Sequence, residues 1–449
     1  MTGNRKVGPV AAAVVLAMTA MAACTAGDDD DSADDVKVLD PDAKHEDVTI
    51  SLWVPFTGRE FEGLQPVFDG FEDEYPWITL DVTEGVEDDD QVVAAIRAGD
   101  PPDAVMSFSL DSVGQFCDSK AWQNLKPYVD ASDMDTSVFP DAVTRYTTYA
   151  GSTCAFPFLT DAIGLYVNTE LLADAGLSGT PKTLDELRSM AEKLTVRKPN
   201  GDIQRAGFVP WFGYYEFSVL EMSVVWDADW YDEDGKSALA SDPDWAAMFE
   251  WQKDFVDWFG ADKLTRFVAG QGDEFSAAND FQKGRTAMGI DGEWRTSFIT
   301  DEAPKLQYDT GAFPLPADRA DEYGYGRVGG TIIGMPRGSK HPAEAFALLE
   351  YLATDTGALV DAANAIGNVP STLDAIESPD LDVPDQFHTF LDIFANPDSR
   401  YKDTSVVGAT DQELVAEFAE RWQAGEVKDL QAGLEKLAQQ IDDEVAQAS

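Results

Sequence analysis

The chain has 449 residues, with 83 acidic side chains against 32 basic ones and a formal net charge of −51 at pH 7. Such a field repels phosphate backbones and anionic lipid surfaces, which argues against nucleic-acid binding. It leaves a cationic ligand open, although a uniformly acidic surface is also a solubility device and then says little about any one site.

The first residues are Arg5 and Lys6, an apolar run from Val7 to Ala23, and the sequence Met21-Ala22-Ala23-Cys24. A short basic segment, a hydrophobic segment and small residues ahead of one cysteine read as a lipoprotein signal over residues 1–23, with Cys24 the first mature residue. Acylation of Cys24 on its sulfur and on its new amino group would attach the body stably to the membrane. A retained membrane anchor is the alternative, but a hydrocarbon core needs about 20 apolar residues. Val7 to Ala23 is shorter and is interrupted by Gly8, Pro9 and Thr19.

Residues 24–45 are rich in Asp and Ala and predict a flexible acidic tether, because they cannot bury enough apolar surface to fold. The remainder, roughly 400 residues with 11 tryptophans, exceeds what one core usually holds and predicts two lobes. Secretion leaves Cys117 and Cys154 as an even pair in an oxidising space. A bridge would close a loop of about 37 residues and contribute roughly 3 to 4 kcal/mol by restricting the unfolded chain; two buried free thiols are the alternative.

Along the chain, Val48 to Val54 alternates as a strand, and Leu64, Val67, Phe68 and Phe71 recur at helical spacing between Gly63 and Tyr75. Pro76 stops that helix and Ile78 to Val82 reads as the next strand. Strand, helix, strand is a βαβ unit and points to a parallel or mixed sheet. Gln91 to Ala98 predicts a further helix and Asp103 to Phe108 a further strand, so the first lobe is α/β. Ala162 to Val167 reads as a buried strand, and Asn168 to Ala175 as a short helix closed by Gly176. Thr183-Leu184-Asp185-Glu186 has the spacing of a capping box. Phe208 to Trp230 is dense in aromatics, Asp232 to Gly235 predicts a hairpin turn, and Pro243 to Phe259 is helical. Thr286 to Ile290 is an apolar strand between Gly284, expected to end a helix, and a turn at Gly292. Leu430, Leu434, Leu437, Ile441 and Val445 form one face of a C-terminal helix.

Five stretches then resemble, in order, the extracellular solute-binding proteins of ABC sugar importers, the group that includes maltodextrin-binding protein. They are Ile50 to Trp53 with Phe68 to Pro76 (FDGFEDEYP), Ala98 to Val105 (AGDPPDAV), Gly164 to Leu194, Phe281 to Trp294 (FQKGRTAMGIDGEW), and Gly329 to Leu352. The resemblance implies a two-lobed α/β fold of the type II periplasmic-binding-protein kind, each lobe a mixed sheet flanked by helices and closing on a ligand in the cleft between them. It places residues 46–158 and 287–328 in the N-terminal lobe and 159–286 and 329–449 in the C-terminal lobe. The implied role is a monomeric, lipid-anchored receptor on the outer face of the cell membrane that binds a sugar without a cofactor or metal and delivers it to permease subunits.

Sugar binding needs flat apolar faces for the pyranose rings and charged or polar groups for the hydroxyls. The resemblance assigns these to Trp53, Phe56, Thr57 and Arg59 after the first strand, to Asp111 and Asp161, and to Trp211, Tyr214, Tyr215 and Glu216 in the second lobe. It adds Trp294 as a stacking platform, with core packing as its alternative, and Gly329 and Gly330 as points of close backbone approach. Met106-Ser107-Phe108-Ser109 lacks a tryptophan where maltodextrin-binding protein has one, and Val406 and Val407 stand where that protein stacks another. A mono-, di- or short oligosaccharide is therefore expected.

A cationic, amino-acid-like or polyamine solute held by Asp111, Asp161 and Glu216 is the rival on the same fold. An enzyme is not expected: His45, His341 and His388 lack a metal-ligand partner at helical spacing. Two carboxylates suffice for a glycoside hydrolase, but so many acids make any pair uninformative. Asp227, Asp229, Asp232 and Asp234 miss the calcium-loop pattern, whose fifth and sixth positions would be Tyr231 and Asp232.

Overall fold

The computed structural model describes residues 36–40 and 43–448. The signal segment, Cys24 and the early part of the acidic stretch lie outside the described residues.

Eight strands form one mixed sheet. β1 (Val48–Trp53) lies between β2 (Ile78–Thr83) and β3 (Ala104–Ser107), parallel to both, as the βαβ reading requires. β4 (Phe156–Asn168) begins six residues before the predicted strand and runs antiparallel to four others: β5 (Met288–Gly292), β6 (Tyr308–Gly311), β7 (Val328–Gly334) and β8 (Val369–Pro370). β7 also pairs with β3 and so joins β4 to the parallel part of the sheet.

Helices cover the sheet in two groups. In the first, α1 (Gly58–Glu74), α7 (Pro342–Thr354) and α8 (Thr356–Ile366) bury Phe68, Phe71, Leu349 and Leu359 with Ile50, Leu52 and Phe158. α1 starts five residues before the predicted helix, and its Pro66 faces solvent. α2 (Asp89–Ala98) and α3 (Ser112–Asp118) pack instead in a third cluster, where Val92, Val113 and Phe116 meet Val105, Ala162, Tyr166 and Ile332. In the second group, α4 (Leu184–Leu194), α5 (Val219–Trp226), α6 (Pro243–Phe259), α9 (Thr410–Gln423) and α10 (Leu430–Ala448) pack around Ile163, Leu165 and Ile290. The capping box at α4 is formed as read: Thr183 Oγ1 accepts from Glu186 N, and Glu186 Oε2 accepts from Thr183 N. α6 matches its predicted span and is apolar on more than one side because it packs against α5, α9 and the helix Ala261–Val268 at once.

Strand pairing divides the chain differently from the expected partition. Residues 288–292 and 308–311 pair with the C-terminal half of β4, the first of them within the second core, whereas 332–334 pair with β3 and 345–375 complete the first core. The reason is direction: β7 runs antiparallel to β4, so it returns the chain to the first core at the point where β4 left it. Residues 280–284 form turns, not the helix expected before Gly284. The later part of the tether is not free either, since Val36, Val38 and Leu39 pack on the first core and the His45 ring stacks on Trp77 at 4.1 Å.

Cys117 and Cys154 are joined, connecting the end of α3 to the approach of β4. Gly330 marks the crossing of β7 over β4: its φ is +128°, the register shifts beside it, and a Cβ there would sit 2.3 Å from the Leu159 carbonyl oxygen. Gly330→Ala is therefore expected to lower unfolding free energy by about 1 to 3 kcal/mol, read as a lower urea midpoint. An unchanged midpoint would mean that the crossing relaxes freely.

Candidate functional site

Twelve of the thirteen residues of β4 are buried, and the exception is Asp161. A strand buried on both faces should be uniformly apolar, so this acid marks where the two cores part. Asp161 Oδ1 accepts from Asn368 Nδ2 at 2.6 Å, and the same amide nitrogen donates to Glu293 Oε1 at 3.1 Å. The second Glu293 oxygen accepts from Ala162 N at 2.9 Å. Asn368 precedes β8 and Glu293 follows β5, so three segments distant in sequence converge on one amide. Burial pushes both carboxyls up; for Asp161 the Arg327 guanidinium pulls the other way, and for Glu293 the nearby Asp161 adds to the rise.

Arg327, immediately before β7, is the hub of the cluster. Its Nε donates to Glu221 Oε2 at 2.7 Å, and its Nη2 lies 3.6 Å from Glu216 Oε2. Burial works against its charge, but Glu221 and Glu216 outweigh that and raise its pKa. Burial raises Glu216 to about 7 against the pull of Arg327, with Asp291, Glu221 and Asp161 adding to the shift. Glu274 is raised to about 8 by burial, then by the negative charges of Asp291 and Glu216. On β5, Asp291 pairs with the fully buried Arg295, Nε to Oδ2 at 2.7 Å.

The backbone holds Glu216 out by a local device. Tyr215 has φ +49°, a left-handed conformation that non-glycine residues adopt at a cost of about 1 to 3 kcal/mol. Its hydroxyl donates to Gly272 O at 3.1 Å and accepts from Asp280 N at 3.0 Å, which pins the turn.

The predicted site residues separate into two sets. Asp161 and Glu216 act on one another, and Asp161 and Arg59 act in opposite directions on Glu60. Trp53, Trp211, Tyr215 and Trp294 are half-buried around the second core or the sheet end, and Thr57 is exposed at the start of α1. The Trp294 ring lies over Gly292, where a Cβ would come within 2.1 Å of it, so that turn accommodates the tryptophan itself.

Others are used differently from expectation. Phe56 is core, edge-on to Phe108, and Phe108 is the exposed ring at 49%. Tyr214 is buried, and its hydroxyl donates to Asp280. Asp111 is engaged by Lys402 Nζ at 3.1 Å and by the Tyr401 hydroxyl at 3.0 Å, and Lys402 is itself buried between Asp111 and Asp411. Gly329 and Gly330 serve the strand crossing, the first beside Arg327, Leu110 and Tyr401 and the second against β4. Sequence reading missed Arg327, Glu221, Glu274, Asp291, Glu293, Arg295 and Asn368. Only Arg327 carried a signal, as a charge two residues before a glycine pair. The Asp227 run is an ion-pair site, with Asp227 facing Arg319 and Arg400, and Asp232 N bonds Lys236 O as a hairpin turn.

Residues 57–359 match the sequence profile of the bacterial extracellular solute-binding proteins. The chain belongs to that family. A putative binding protein of Brucella abortus is 28% identical over 205 residues, 45% of this chain and 47% of that protein, so this solute-binding protein spans about half the length of that relative. The diacetylchitobiose binding protein DasA of Streptomyces coelicolor is 25% identical over 288 residues, 62% of this chain and 63% of its own. The solved structure of CpMnBP1 with mannotriose bound superposes with a TM-score of 0.75 at 25% identity, covering 90% of this chain and all of that one. The fold is thus the two-lobed type II arrangement.

The raised carboxyls carry a stability consequence. Below about pH 4.5 Glu216 and Glu274 are protonated in both folded and unfolded chains, and between there and their folded values only the folded chain keeps the protons. Their contribution is therefore lost as pH rises through about 7 to 8. Glu274→Gln should melt with the wild type near pH 5 and above it near pH 9. Parallel melting curves across that range would mean that Glu274 is fully solvated.

Proposed function

We propose that the protein is the solute-receiving component of an ABC importer, held by lipid at Cys24 on the extracytoplasmic face of the membrane, and that its solute is a carbohydrate of one to a few rings. The observation that carries this reading is the combination at the parting of the two cores: half-buried Tyr215 beside Glu216 and Glu274 and half-buried Trp294 beside Asp291, with Asp161 and Arg327 in the same charged cluster. Flat rings cover the apolar face of a pyranose, and the charged groups take its hydroxyls. A relative that binds diacetylchitobiose and a structural neighbour holding mannotriose support the same class.

In this reading, residues 46–160 with 330–371 form one lobe and 161–329 with 372–448 the other. The segments that connect them at Asp161, Gly330 and Asn368 act as the hinge on which the cleft closes. The closed, monomeric form then presents itself to permease subunits, and no step of the cycle calls for catalysis, a metal or a cofactor.

The test is a thermal-shift screen of the chain from residue 25 onward against neutral saccharides, amino acids, polyamines and divalent cations. A saccharide at 100 times its dissociation constant should add about 2.7 kcal/mol of stability. A response confined to amino acids or metal ions would refute the carbohydrate reading. With the saccharide in hand, Trp294→Ala should weaken binding by roughly 2 kcal/mol or more through loss of a stacking face. Wild-type affinity in that variant would remove Trp294 from the site.

A further inference from the structure

The charges around the candidate site do not balance. Asp161, Glu216, Glu221, Glu274, Asp291 and Glu293 act on one another through space, and the cations among them are Arg295 and Arg327. Arg59 and Glu60 face each other at the edge and leave the count unchanged. Both guanidiniums are already committed. Arg295 Nε is on Asp291 and its Nη1 on Gln282 at 2.9 Å, and Arg327 is shared by Glu221 and Glu216.

Neutral donors account for part of the excess. Asn368 and Ala162 N satisfy Glu293, and Asn368 also serves Asp161. They do not reach the carboxyls on the second-core side. Glu221 is fully buried, and its Oε1 has no hydrogen-bond partner among the described residues although Oε2 is on Arg327. Oε1 of Glu274 is likewise unpartnered, and Glu216 keeps 25% of its side-chain surface open. Two aromatic rings adjoin these acids, with Tyr215 close enough to feel Glu274 and Trp294 against Asp291.

A neutral ring closing over Glu216 and Glu274 would strip water from them and return only hydroxyl hydrogen bonds, which is costly for carboxylates left without a counter-charge. An ammonium group supplies the missing positive charge and three donors, and it is also attracted to the faces of neighbouring aromatic rings. We propose that the natural solute is a saccharide bearing a protonated amine, an amino sugar or basic glycoside, whose ammonium group sits against the Glu216 and Glu274 pair. This rests on the carbohydrate reading above and narrows it.

The experiment compares sugars that differ only in that group. Glucosamine, galactosamine, mannosamine and the β-1,4 dimer of glucosamine are titrated into the chain from residue 25 onward beside glucose, galactose, mannose and cellobiose, in low and high salt, near pH 7.5, where Glu216 and Glu274 lie close to their values of about 7 and about 8 and an ammonium group beside them displaces their protons. At least one amine should bind roughly tenfold or more tighter than its hydroxyl counterpart. That preference should shrink as salt rises and should fall in Glu216→Gln and in Glu274→Gln. Should either variant fail to fold, the salt dependence of the wild type carries the same distinction. Equal or tighter binding of the neutral member in every pair overturns the proposal and leaves the carbohydrate reading standing. Binding of putrescine or a divalent cation without any sugar overturns both, and a screen in which no amino sugar binds overturns the proposal.

Discussion

One strand constrains everything else in this molecule. Residues 156–168 serve four antiparallel partners, and a thirteen-residue strand is far longer than either core needs alone. Its first half is packed by α1, α7 and α8, and its second by the helices around α6. The backbone hydrogen bonds of a strand buried on both faces must all be met by neighbours, and this forces β5, β6, β7 and β8 to come to it from distant parts of the chain. The two cores are thereby held in one sheet, and any motion between them must be taken up near Asp161, where the burial is interrupted.

That interruption concentrates charge. Burying carboxylates is unfavourable unless they are paired or protonated, and the structure uses both routes. Arg327 and Arg295 each neutralise an acid and Asn368 bridges two more, whereas Glu216 and Glu274, with too little positive charge beside them, are pushed up to about 7 and about 8 and give up their protons only when a cation joins them. Lys402, sealed between Asp111 and Asp411 within 3.1 Å of each, shows the same chain neutralising buried acids with a cation of its own. The contrast between that closed triad and the unfinished Glu216 and Glu274 pair separates a strut from a binding surface, although both are acids near the boundary of the two cores.

Local features were legible in the chain and tertiary ones were not. The capping box at Thr183, the span of α6 and the apolar face of α10 follow from side-chain spacing over a few residues, where helix geometry leaves little choice. The Cys117 and Cys154 pairing followed from counting. The candidate site was legible only in part. Asp161 and Glu216 come together in one charged cluster, but Phe56, Tyr214 and Asp111 are spent on packing or pairing that only distant residues could impose, namely Phe108, Asp280 and Lys402. Glu293, Arg295 and Asn368 gave no signal, because an isolated polar residue beside a strand looks the same whether it faces water or a partner from across the fold.

The sequence by itself determined an α/β architecture with two cores and family membership, since apolar periodicity and the order of five motifs survive without knowledge of contacts. Only the tertiary structure decided which segments complete which core, because β7 returns antiparallel to β4 and that direction is set by pairing, not by composition. It also decided which acids are satisfied and which are left open. Charge balance depends on distances of a few ångströms between residues hundreds of positions apart, and spacing along the chain does not encode them.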